Sequence, residues 1–500
     1  MDIKKGKLNV CVSIIFRIIT MLMAIVVKKA LIDTCGNEVN GLNALCISII
    51  GVLSVAELGV GHAITFCMYK PIVEGKHEIV SALYQLFKKL YCLIGTVVFA
   101  GGLAIIPFLQ YFVKDYNTLD VNIYLAFFLI LVSATGTYFF SAKISLVNAY
   151  KNNYITTAIT QSGLILQYVL QIAVLIITKS FTAYLLCRIV AMIAQWLVSE
   201  MVVRKKHSNI IQTCFKLDDA TKSTVKKSIK AMFIHKIGSV LVNTVDNVVI
   251  SVFVGVVALG EYSNYILILS SMTGVIALLF SSLTSVVGHL CAESKKEIVR
   301  EYFESFHLLN FVVGAVFFLG YFAVIDSLVS ILFSAELIIS KNVSIVIALN
   351  GFVQFMRQSA LMFRDATGTF YQDRWKPLFE GITNIVLSIF LVNVIGLEGV
   401  ILATVMTTLF ICHIVEPYVL YKNVFCVSPK GFYLRNFSMI FAFVIMLVLL
   451  SECLQKTGSI YSQLFINGFV SLGFSLCLCI CAVLFNAQAT KRLLKTLKKG

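Results

Sequence analysis

The stretch LNALCISIIGVLSVAELGVGHAITFCMY, Leu42 to Tyr69, runs for 28 residues in which Glu57 and His62 are the only acidic or basic side chains. At 1.5 Å of rise per residue a helix of this length crosses a bilayer, for which about 20 apolar residues suffice. Glu57 falls near the middle, where a carboxylate is costly and therefore rare. Gly61 shares its helical face at i, i+4, whereas His62 lies about 140° round, so the two ionisable groups are not a preformed pair. Gly59 and Gly61 mark a point where this helix is expected to bend.

The rest of the chain has the same character. Of 500 residues, 59% are hydrophobic and 13% charged, with a mean hydropathy of +0.91, against roughly a quarter charged in soluble domains. Fourteen apolar segments, the first at 10–32 and the last at 463–485, define an all-α integral membrane protein with 14 transmembrane helices. The basic leader MDIKKGKLNV precedes an apolar segment too long for a signal peptide, and no small-residue cleavage site follows. The first segment is therefore expected to stay as a span.

Orientation follows from lysine and arginine. Of the 41, 32 fall at the two termini and in the connections after even-numbered spans, six lie on the opposite side, and Arg17, Arg188 and Arg357 lie within spans. Both termini are expected in the cytoplasm. The same distribution accounts for the formal charge of +16 through topology and anionic lipid, and no basic-aromatic platform points to nucleic acid. The 14 cysteines include no C-x-x-C pair and read as small buried hydrophobes. Cys477 and Cys481 share a face, but no histidine or carboxylate near them completes a metal site. With no Walker loop or G-x-G-x-x-G, no nucleotide or other cofactor is expected.

An internal duplication organises the spans. Arg17–Gly95 align without a gap onto Lys236–Gly314 at an offset of 219. KHEIVSALYQLFKKLYCLIG from Lys76 falls on KKEIVREYFESFHLLNFVVG from Lys295, Gly36 on Gly255, and Gly41 on Gly260. Six spans separate the copies, an even number, so the halves are expected to share one orientation about an axis along the membrane normal, with the substrate path between them. The expected organisation is an N-lobe at 1–203 (helices 1–6), a basic cytoplasmic linker at 204–230, a C-lobe at 231–425 (helices 7–12), and 426–500 carrying helices 13 and 14 and a basic tail.

These segments carry a family resemblance. KKALIDTCGNEVNGLNALCISIIGVLSVAELGVGHAITFCMYKPIVEGKHEIVSALYQLFKKLY resembles the N-terminal region of bacterial polysaccharide-unit flippases of the Wzx type, in the multidrug/oligosaccharidyl-lipid/polysaccharide exporter superfamily. VNTVDNVVISVFVGVVALGEYSNY, RDATGTFYQDRWKPLFEGITNIVLSIFLVNVIGLEGVILATVM and EPYVLYKNVF resemble later segments of that family. The resemblance implies a two-lobed, V-shaped (MATE-like) protein of the bacterial cytoplasmic membrane. It implies that undecaprenyl-diphosphate-linked saccharide is moved between leaflets by alternating access, with membrane lipids, a glycan polymerase and glycosyltransferases as partners. Related flippases often carry arginine near the end of the first helix, where this chain has Lys28 and Lys29, point charges without a guanidinium fork.

The intramembrane polar residues are the site candidates. Arg17, Lys28, Lys29 and Arg357 are expected to bind a diphosphate, because an ion in hydrocarbon needs charged partners. Glu57, His62 and Asp246 are candidates for a polar or ion-coupling path, and Asn243 and Asn247, on one face of helix 7, for sugar contacts. The repeat sets Asp246 opposite Val27 and Asn247 opposite Lys28. Arg364, at an inner helix end, reads as a snorkelling interfacial residue. His413 and Glu416, just before Pro417, and Glu380 read as structural. An intramembrane polymerase or ligase would need a catalytic outer loop, and every outer connection is short, so an enzyme is not expected. The alternatives are a lipid-linked peptidoglycan precursor flippase and a drug or cation antiporter of the same superfamily.

Overall fold

The computed structural model describes residues 3–54, 60–114, 119–150, 152–212, 225, 244–369, 372–455 and 458–485. The chain divides into two compact units, Met1–Gly260 and Glu261–Gly500. It is a multi-pass, all-helical membrane protein. Among the described residues ten helical spans are long and apolar enough to cross a bilayer, and Asn37–Leu53, Ile64–Val73 and Thr244–Val254 are shorter apolar helices.

The first unit contains α1 (Ile3–Cys35), α2 (Asn37–Leu53), α3 (Val60–Val73), α4 (His77–Ile105), α5 (Ile123–Gly136), α6 (Tyr138–Ala149), α7 (Asn153–Thr178) and α8 (Phe181–Gln212). The run from Leu42 to Tyr69 is thus described as two helices, α2 and α3, with residues 55–59 between them outside the described residues. Aromatic rings fill the core of this unit: Phe87, Tyr91 and Tyr138 stack edge to face within a buried cluster that also holds Tyr84 and Leu146.

The first unit extends past the basic segment at 204–230 because residues 247–260 bond back to α2 and its surroundings. Asn247 Nδ2 donates to Ser48 Oγ (2.9 Å), Ser251 Oγ to the Phe112 carbonyl (2.6 Å), Asn37 Nδ2 to the Val257 carbonyl (3.1 Å) and Asn40 Nδ2 to the Gly260 carbonyl (3.2 Å). Gly36 and Gly255, matched by the 219-residue offset, both have positive φ, 88° and 133°, a region that only glycine enters freely. Each turns the chain into a new helix, and the two helix starts then lie against each other. A Cβ on Gly41 would overlap the Val256 carbonyl oxygen, so this approach requires glycine.

α9 (Val256–Glu293) begins at the close of the first unit and runs into the second. There α10 (Lys296–Leu332), α11 (Lys341–Met356), α12 (Gln358–Thr367), α13 (Lys376–Ile395), α14 (Leu397–Thr407), α15 (His413–Leu420), α16 (Lys430–Cys453) and α17 (Ile460–Phe485) follow. α10 packs along α17, and α13 pairs with α14. Phe303 is the hub of the core, with Phe363 (5.4 Å), Phe432 (5.3 Å) and Phe425 (5.5 Å) around its ring. Two segments expected to be continuous are broken. The span expected at 342–363 turns at Arg357, between α11 and α12, and the one expected at 399–421 is interrupted by a π-helical turn at Thr408–Cys412. Single π turns insert a residue and re-aim the side chains that follow them.

Candidate functional site

The re-aimed residues meet in the second unit. Pro377 sits in the first turn of α13, where no backbone N–H is needed. Lys376 and Glu380 therefore fall one turn apart on the same helical face. Pro417 denies the His413 carbonyl its donor, and the π turn precedes it, so His413 and Glu416 are placed by a locally distorted helix.

Arg357 Nη2 donates to Glu416 Oε1 (2.6 Å) and Nε to Oε2 (3.2 Å), a two-pronged fit. Its Nη1 donates to Gln354 Oε1 (2.7 Å) and lies 3.6 Å from Glu380 Oε1. Lys376 Nζ donates to Glu416 Oε1 (2.5 Å) and lies 3.6 Å from Glu380 Oε2. Two cations and two carboxylates cancel, which is the arrangement that makes buried charge tolerable. The side chains of Lys376, Glu380 and Glu416 are at most 5% exposed and that of Arg357 12%, so Arg357 is the accessible member.

A second chain of polar groups runs beside this quartet. The Val353 carbonyl can only accept, so His413 Nε2 donates to it (3.0 Å). With neutral rings, Asn436 Nδ2 then donates to His413 Nδ1 (3.1 Å), His307 Nε2 to Asn436 Oδ1 (3.1 Å), and Ser359 Oγ to His307 Nδ1 (3.0 Å). One carbonyl thus sets every donor in the chain. Farther along α13, Asn384 Nδ2 donates to Thr404 Oγ1 (2.8 Å), while Asn384 Oδ1 and Ser388 Oγ are buried without a hydrogen-bond partner.

The other sequence candidates are dispersed. α1 is one helix from Ile3 to Cys35, so Arg17 and Lys28 stand on one face, about 16 Å apart along the axis. Arg17 is exposed and Lys28 half-buried; Lys29 pairs with Asp33 one turn on (3.0 Å). Asp246 is half-buried near Asn247, whose amide holds Ser48. Glu57 and Asn243 lie outside the described residues, and so does the side chain of His62, which stands in the first turn of α3. Arg364 is mostly buried, its guanidinium bound to Asp365 (2.9 Å) and Asp373 (3.2 Å). Arg188 reaches Asn43 Oδ1 (3.4 Å) and lines a cavity of about 210 Å³ with Gln167 and Gln195.

Sequence reasoning missed Lys376, Gln354 and Asn436. Lys376 was legible as the first member of an i, i+4 pair with Glu380; Asn436 carries no local signal, because its partners come from other helices.

No family model and no curated protein sequence matches the chain. Solved structures do match in fold. Lipid II flippase MurJ, in an inward closed conformation, matches 96% of this chain and 98% of its own at a TM-score of 0.63 and 13% identity. An inward-facing multidrug resistance MATE family transporter of the MOP superfamily matches 83% and 98% at a TM-score of 0.61 and 12% identity. The Vibrio cholerae MATE transporter VcmN, solved as a point mutant, matches 85% and 99% at a TM-score of 0.53 and 13% identity. The chain has the fold of MOP-superfamily transporters.

Proposed function

We propose that the protein is a flippase that moves undecaprenyl-diphosphate-linked oligosaccharide units from the inner to the outer leaflet of a bacterial cytoplasmic membrane by alternating access, with both termini cytoplasmic. The observation that carries this reading is α1. A single unbroken helix of membrane-spanning length, in a fold shared with a lipid flippase, presents Arg17 and Lys28 on one face about 16 Å apart. A diphosphate crossing hydrocarbon needs charge along its route, because an unpaired ion there has a large desolvation penalty. Arg17, Lys28 and Lys29 are the proposed diphosphate contacts, with Glu57, His62 and Asp246 along the polar path and Asn243 and Asn247 near sugar.

Arg357 belongs to this proposal differently. Three of its five N–H groups are engaged by Glu416 and Gln354, so a diphosphate would meet a guanidinium already neutralised by carboxylates. Its part is to touch substrate through the remaining donors while Glu416 holds it in place.

The match to MurJ favours a second substrate, the lipid II named for that neighbour. Purified protein reconstituted in liposomes, offered undecaprenyl-diphosphate-linked oligosaccharide in one set and lipid II in another, separates the two readings. Leaflet transfer of the oligosaccharide lipid, weakened by Arg17→Gln, is expected. Transfer of lipid II alone assigns the second reading, and proton- or sodium-driven drug movement without lipid transfer overturns both.

A further inference from the structure

The second unit holds a cavity of about 380 Å³, within the 300–1,000 Å³ typical of small-molecule sites. Its polar wall comes from Asn350, Gln354 and Gln358, spaced at i, i+4, i+8 along α11 and α12, facing Ser270 and Thr273 of α9. The apolar wall includes Phe318, whose ring lies directly on Gly351; a Cβ there would overlap the ring. Among the described residues no lining side chain is charged.

That composition selects its ligand. A cation would find no carboxylate in the lining and an anion no lysine or arginine. A hydroxyl-rich neutral ring suits it, because each hydroxyl both donates and accepts, as amides and hydroxyls do, while the ring's C–H face can lie against an aromatic ring. Asn350 Oδ1 is buried and has no hydrogen-bond partner, an acceptor held ready at the cost that an unmade bond carries. Gln354 is committed elsewhere: Oε1 accepts from Arg357 (2.7 Å) and Nε2 donates to Thr408 Oγ1 (2.9 Å). It joins the cavity wall to the charged quartet.

We propose that this cavity is a subsite for neutral sugar residues of the lipid-linked saccharide, with Asn350, Gln358, Ser270 and Thr273 as its hydrogen-bonding groups. This rests on the flippase reading and adds, in the second unit, sugar contacts beyond those proposed at Asn243 and Asn247. Gln354 then couples occupancy to charge: a ligand that draws on its amide loosens the hold on Arg357.

Purified protein in nanodiscs is titrated with undecaprenyl diphosphate, with undecaprenyl diphosphate bearing a neutral trisaccharide, and with the free trisaccharide. Wild type is expected to bind the saccharide-bearing lipid most tightly. Asn350→Leu and Gln358→Leu should each remove about tenfold of that affinity, the worth of one or two hydrogen bonds, and leave bare undecaprenyl diphosphate unchanged. Thr273→Val removes a hydroxyl at nearly constant shape and should act in the same direction if Asn350→Leu fails to fold. Equal losses for both lipids, or undiminished sugar discrimination in the variants, overturns the subsite. Free trisaccharide binding as tightly as the tethered form overturns the lipid-linked source. Wild type that binds neither lipid instead overturns the flippase reading.

Discussion

Glu416 accepts two hydrogen bonds from Arg357 and one from Lys376, so its loss strands a buried charge and also removes three hydrogen bonds. Glu416→Gln is expected to destabilise the protein by about 3–5 kcal/mol, the usual result of removing one partner of a buried pair. Arg357→Gln together with Glu416→Gln should cost less than the two single changes summed, since each alone strands the other's charge. Unfolding in detergent, run as a double-mutant cycle, measures this; additive losses would mean the fork contributes no coupling. Arg357, Glu380 and Glu416 could be picked out in the sequence because charges stand out in apolar runs. Their pairing could not, because 59 residues separate Arg357 from Glu416 and no helical period connects them. Lys376 was overlooked for the opposite reason: its i, i+4 relation to Glu380 was readable, but it stood among the many lysines at helix ends expected to face the cytoplasm, where topology alone explains a positive charge.

Helix starts were more legible than helix interruptions. Gly36 and Gly255 stand where new helices begin, and their positive φ gives the reason. The break at Arg357 lies among Gln354, Gln358 and Ser359 with no glycine or proline to mark it, and the π turn at Thr408–Cys412 lies in apolar sequence; in the second unit only Pro417 announced a distortion in advance. The close approach of α2 to the start of α9 makes a sharp test. Gly41→Ala should destabilise by about 1–3 kcal/mol, as overpacking does, because the added carbon meets the Val256 carbonyl. Gly288→Ala, on α9 with nothing within 4 Å of the new carbon, should be neutral or slightly stabilising through helix propensity. Thermal unfolding of the two variants in one detergent checks the contrast; equal effects would refute a tight contact at Gly41.

At the scale of the molecule, composition and hydropathy sufficed for a multi-pass helical membrane protein, since bilayer thickness sets helix length so strictly. Substrate leaves no such periodic trace, because the groups that would recognise it are single residues on separate helices. Orientation is open to a direct test. In a background whose native cysteines are replaced, Lys222→Cys should resist a membrane-impermeant maleimide in intact cells and react once they are permeabilised; labelling without permeabilisation would invert the topology. The charged quartet also bears on how the protein is made. Synthesis runs from the N-terminus, so Arg357 leaves the ribosome well before Glu416, its main partner. Lys376 and Glu380 emerge next, as a pair four residues apart on one helix. Until the last of the four residues arrives, the nascent segments carry a net positive charge that has no settled place in lipid. Of the quartet, the chain up to Glu380 thus carries one positive charge in excess, which the arrival of Glu416 neutralises before α16 and α17 emerge to complete the second unit.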